Sequence, residues 1–240
     1  MGSSDKEQAK NKITDVKTFS IPFSLGESKE KITISTNTPS KSSKEQIINQ
    51  AFKFHSQGNI SEAIKYYQYF INQGFNNHLV FSNYGVILKD LGNLQEAEIA
   101  TRKAIELKPD FAIGYYNLGN ILKYLGNLQE AEIATRKAIE LKPDYAEAHS
   151  NLGNIMKDLG NLQKAEVSQR KAIELNPDLA IAHSHLGNIL SDLGKLKEAE
   201  LSYRKAIEIN PDFADAYSNL GIILRDIGRL KEAEISYRKA

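Results

Sequence analysis

LGNLQEAEIATRKAIELKPD, residues Leu91 to Asp110, recurs letter for letter from Leu125 to Asp144, and close variants follow from Leu159 to Asp178 and from Leu193 to Asp212. The offset is 34 residues each time. A fixed period of this size is the mark of a stacked-repeat architecture and decides the fold before any single element is considered. Counting outward gives units over 78–111, 112–145, 146–179 and 180–213, an incomplete one over 214–240 and a divergent one over 44–77.

Inside each unit two stretches carry apolar residues at helical spacing, parted by a glycine and closed by a proline. In the unit from Ala112, Leu118, Ile121, Leu122 and Leu125 make the stripe of a first helix, A. Leu128, Ala131, Ala138, Ile139 and Leu141 make that of a second, B. Gly126 can adopt the positive φ that ends helix A. Gly119 lies mid-helix, where glycine costs about 1 kcal/mol relative to alanine, so its place there predicts a close helix approach. Pro143 stops helix B, because it has no N–H and restricts Lys142. One hairpin cannot hide its own apolar face, whereas stacked copies bury a continuous core. The predicted fold is therefore all-α: a right-handed superhelical solenoid of helix-turn-helix repeats with a concave groove. The acid-first pairs Glu98/Arg102, Glu132/Arg136, Glu166/Arg170, Glu200/Arg204 and Glu234/Arg238 fall on the outer face of helix B at i,i+4 and read as a solvated surface.

These residues resemble the tetratricopeptide repeat family over residues 44–240. The pattern reads Tyr115, Leu118, Gly119, Leu122, Gly126, Ala131, Ala138 and Pro143 in one unit. In the last it reads Tyr217, Leu220, Gly221, Leu224, Gly228, Ala233 and Ala240. The first unit keeps Ala51, Gly58, Ala63 and Tyr67 but has Phe75 where the others have proline, which leaves its closing turn open. The repeats are also similar to those of the O-linked N-acetylglucosamine transferase and of bacterial multi-repeat proteins. The resemblance implies a groove lined by the second, fifth, sixth, ninth, twelfth and thirteenth residues of helix A. The sixth are Asn83, Asn117, Asn151, His185 and Asn219, and the ninth include Asn120, Asn154 and Asn188. Such an amide ladder offers donors and acceptors to an extended peptide backbone, or else caps local packing. Tyr116 and Tyr124 are the aromatics placed to anchor a ligand, unless they are ordinary surface tyrosines. Lysine and arginine are absent from the second, fifth and sixth positions, which excludes the clamp by which some family members grip a terminal carboxylate.

The 240 residues carry 31 Lys plus Arg against 30 Asp plus Glu and have no cysteine. A net charge of +1 gives no field for nucleic acid or anionic membrane, and the missing thiols remove disulfide, thiolate and Cys-metal chemistry. None of the five histidines falls in a metal spacing, so no cofactor or metal and no enzymatic activity are expected. No apolar h-region or run of 18 apolar residues is present, which points to the cytoplasm. Residues 1–43, rich in Ser, Thr and Lys, read as a disordered polar segment, with VKTFSIPFSL and KITIST as the stretches able to form a strand pair or to dock extended on a partner.

The expected function is a protein-interaction scaffold with a protein or peptide in the groove. The alternative is the substrate-targeting arm of an enzyme, such as a glycosyltransferase, whose catalytic domain follows residue 240. The end of the sequence inside a helix B also predicts an uncapped last repeat able to self-associate.

Overall fold

The computed structural model describes residues 44–240, so the expectations for residues 1–43 fall outside it. Twelve helices follow one another among the described residues, in pairs. The A helices are α1 (Lys44–Ser56), α3 (His78–Asp90), α5 (Ala112–Tyr124), α7 (Ala146–Asp158), α9 (Ala180–Asp192) and α11 (Ala214–Asp226). The B helices are α2 (Ile60–Asn72), α4 (Leu94–Leu107), α6 (Leu128–Leu141), α8 (Leu162–Leu175), α10 (Leu196–Ile209) and α12 (Leu230–Lys239).

Helix A ends where Gly126 takes φ +80°, and the Asn127 N–H returns to the Leu122 carbonyl, closing the turn. The mid-helix glycine has the role its position predicts. A Cβ on Gly119 would lie 2.2 Å from Thr135 Oγ1 and 3.3 Å from the Ala131 carbonyl, so α5 and α6 approach closer there than any side chain permits. Four residues along helix B from each conserved alanine, the side chain opposite this glycine changes from Thr101 and Thr135 to Gln169, Tyr203 and Tyr237, each against its own glycine.

The core is built across unit boundaries. Leu118, Leu122, Ala131 and Ala134 of one hairpin enclose Ile155 of the next, and Leu152, Met156 and Ala165 enclose Ile189 in the same way. Fully burying an isoleucine is worth about 1.5–3 kcal/mol, and that gain exists only when the following hairpin is in place.

Consecutive A helices touch, α3 with α5, α5 with α7, α7 with α9 and α9 with α11, whereas no two consecutive B helices do so to the same extent. The stack therefore curves toward its A helices, which line the inner face, and the B helices form the outer one. The first hairpin fits less tightly, since α2 contacts α3 far less than α4 contacts α5. In place of the proline turn, Gly74 takes φ +73°, Phe75 packs on Phe70 at 5.3 Å, and the Asn77 side chain caps α3 by accepting from the Leu79 and Val80 N–H groups.

Candidate binding groove on the inner face

The ladder of sixth-position residues is not a row of free amides. Asn83, Asn117 and Asn151 are buried. Asn117 Nδ2 donates to Ser82 Oγ at 3.1 Å, reaching the fifth position of the preceding unit. In the next unit the fifth position is Tyr116, whose ring packs on Tyr145 at 5.1 Å and offers no small hydroxyl, and Asn151 Nδ2 turns instead to Thr135 Oγ1 at 3.3 Å. The corresponding Thr101 Oγ1 is left buried without a partner, because Asn117 faces the other way. These amides stitch one hairpin to the next, and the packing role weighed for them in the sequence accounts for at least one of their donors.

The ladder changes character at His185. Asn154 Nδ2, which can only donate, lies 3.0 Å from the ring Nδ1 and 3.3 Å from the ring Nε2, and the shorter contact assigns the ring proton to Nε2 and makes Nδ1 the acceptor. Ser150 Oγ adds a second contact to the same nitrogen at 3.3 Å. Burial first, then the charges of Lys123 and Lys157, pulls the His185 pKa down to about 4, so the ring is neutral near pH 7. Beneath it Gln169, fully buried, donates to the Ser150 carbonyl and to Asn154 Oδ1 while its own Oε1 has no protein partner.

Beyond His185, α9 and α11 enclose a pocket of about 170 Å³. Its lining includes Ser184, His185, Asn188, Ser218 and Asn219, with Ile181, Phe213 and Asp215 at its sides. Asn188 Oδ1 accepts from Tyr203 Oη at 2.7 Å and from Asn219 Nδ2 at 3.1 Å, which joins the two amides across the pocket. Ser184, Ser218 and Asp215 were not among the residues singled out as a site from the sequence, although they stand at the second and fifth positions of helix A.

At the other end of the groove Asn120 hydrogen-bonds Tyr116, whose phenol is raised in pKa chiefly by burial. Tyr124 stands out from the surface, with Lys89 Nζ and Lys123 Nζ at 5.9 and 5.3 Å from its ring centre. Lys89 pairs with Asp90 and Lys157 with Asp192, so the twelfth and thirteenth positions form a mixed-charge rim. His149 and His183 lie apart from the groove residues and hold the stack together: each Nε2 is within 3.0 Å of a carbonyl in the turn closing the preceding unit, Pro143 and Pro177. No group of three or more His, Asp or Glu among the described residues is placed to hold a metal, and no described helix is long and apolar enough to cross a membrane.

The class defined by this geometry is an α-solenoid of helical hairpins with a polar inner groove. Models of the tetratricopeptide repeat match residues 80–111, 112–145 and 146–179, a further repeat model of the same kind matches residues 187–228, and the chain belongs to the tetratricopeptide repeat family. Among solved structures it is similar to MamA, at 27% identity and a TM-score of 0.56 over 65% of this chain and 91% of that one. A tetratricopeptide repeat protein from Parabacteroides merdae superposes with a TM-score of 0.66 at 21% identity, over 82% of this chain and 78% of the other. YrrB, described as having an unusual peptide-binding site, matches with a TM-score of 0.53 at 24% identity, over 72% of this chain and 89% of its own. No curated protein matches the chain.

Proposed function

We propose that this protein is an interaction scaffold that holds an extended polypeptide segment along the groove formed by its A helices. The observation that carries the reading is the polar pocket between α9 and α11, where donors and acceptors from five side chains converge beside apolar walls. A peptide backbone presents the same two group types at regular intervals, and the walls suit a small side chain. His185 supplies an uncharged N–H, so the pocket has no fixed positive charge of its own, and Asp215 at its side favours a ligand side chain that is neutral or basic. Tyr124 is the aromatic anchor two to three units away, with two lysine ammonium groups near its ring.

The test is selection of peptides from a random display library on the 240-residue chain, with affinities then measured by calorimetry. The substitutions Ser218→Ala and Tyr124→Ala, at half-buried and exposed positions, leave the fold intact. Each is expected to weaken the selected peptides about tenfold, the loss of a charge-neutral hydrogen bond or of one aromatic contact. Selected peptides that bind both variants with unchanged affinity overturn the reading.

A further inference from the structure

The pocket between α9 and α11 is polarised across its width. On the α9 side His185 Nδ1 is taken by Asn154, and Asn188 Oδ1 by Tyr203 and Asn219, which leaves the His185 Nε2–H and the Asn188 amide N–H groups as donors. On the α11 side Asn219 has turned its nitrogen toward Asn188, so its Oδ1 remains as an acceptor beside the Asp215 carboxylate and the Ser218 hydroxyl. No lysine or arginine lines the pocket, and among the described residues Asp215 forms no ion pair. The arrangement is particular to this junction. Leu79, Ile113 and Ile181 stand at the place of Asp215 in three other units. Where the fourth has Glu147, the ring of Tyr116 lies against Tyr145 at 5.1 Å in the place of the Ser184 hydroxyl.

We propose that this pocket receives the amino terminus of the bound polypeptide, its α-ammonium on Asp215, Asn219 Oδ1 and Ser218 and the carbonyl of the same residue on His185 and Asn188. The inference rests on the groove reading above and adds which part of the partner enters the pocket. An ammonium has three N–H donors and no acceptor, which matches the α11 side, and a carbonyl accepts only, which matches the α9 side. The first residue of a chain carries both groups on one Cα, so a single residue satisfies both walls of a space of about 170 Å³. A lysine ammonium sits at the end of a four-carbon stem, which parts the charge from the backbone carbonyl. A terminal carboxylate would meet Asp215 with no cation in the pocket to hold it. Ile181 and Phe213 then flank the first side chain, which suits a small apolar residue.

The test uses the full 240-residue chain and peptides selected on it from a library displayed with free amino termini. Each selected sequence is resynthesised with an amidated carboxyl end, as the free amine and as the N-acetyl form. Acetylation is expected to weaken binding about tenfold or more. Asp215→Asn, at an exposed position, is expected to weaken the free amine by a similar factor and to leave the acetylated form unchanged. Affinity for the free amine is also expected to fall above about pH 8, where an α-amine loses its proton, whereas a lysine keeps its own to about pH 10. His185 is already neutral there, and burial holds Tyr203, behind Asn188, in its protonated form, so neither titrates across that range. Free and acetylated peptides of equal affinity overturn the proposal and leave the groove reading standing. So does an Asp215→Asn chain that discriminates between the two forms as strongly as the wild type. A dependence on Asp215 that survives acetylation but is lost when an internal lysine becomes norleucine overturns it in favour of a side-chain cation. Failure to select any peptide overturns both readings.

Discussion

At the scale of single residues, two positions separate what the repeat needs from what one unit has changed. Gly119→Ala would press a methyl into Thr135 Oγ1, a buried group on a short side chain with nowhere to swing. The expected cost is about 1–3 kcal/mol despite the better helix propensity of alanine, read as a fall in melting temperature. Adding Thr135→Ala is expected to recover part of it, although Asn151 then loses its acceptor. The second position is His185. Its folded pKa of about 4 lies below the ordinary 6.5, so between those values the unfolded chain binds the proton and the folded one does not. Stability is therefore complete above about pH 6.5 and is lost as pH falls toward 4, by on the order of 3 kcal/mol. His55 and His78, also lowered chiefly by burial, add slopes of the same sign. His185→Asn, the residue at this place in the other units, is expected to shallow the fall without removing it, as measured by urea midpoints across that pH range. An unchanged slope would refute the assignment.

The elements divide by how they begin and how they meet. Asn77 accepts from two N–H groups at the start of α3, while Asn127, before α6, makes no side-chain cap. Asn77→Ala is thus expected to cost about 0.5–2 kcal/mol and Asn127→Ala much less, a contrast that paired thermal melts would display. The two asparagines look alike in a sequence, and this marks the limit of what could be read there. The 34-residue period, the helix boundaries set by Gly126 and Pro143, and the close approach at Gly119 were legible because each depends on local backbone chemistry repeated several times over. The partners of Asn117 and Asn151 were not, since they are decided by whether the preceding unit offers Ser82 or Tyr116 across the stack.

Across the whole molecule, each hairpin gains its stability from its neighbours, so opening should follow the quality of the junctions. The weakest lies between α2 and α3, where the closing proline is replaced by Phe75 and the helices scarcely meet. The first hairpin nevertheless buries Tyr67 and Phe70 fully, in a cluster that Val80 and Ile87 of α3 complete, and Tyr67 Oη is hydrogen-bonded to His55 Nδ1 at 3.0 Å. With the sparse approach of α2 to α3, those internal contacts are expected to make α1 and α2 open together, without fraying residue by residue. Native-state hydrogen exchange is expected to show the amides of α1 and α2 sharing one opening free energy, lower than that of α5 through α9. Graded protection rising smoothly along α1 and α2 would mean fraying instead. Equal protection across all units would mean the sparse junction is as strong as the rest. Because the groove residues begin at α3, detachment of the first hairpin is expected to leave peptide affinity unchanged while lowering the temperature at which the first exchange-competent state appears.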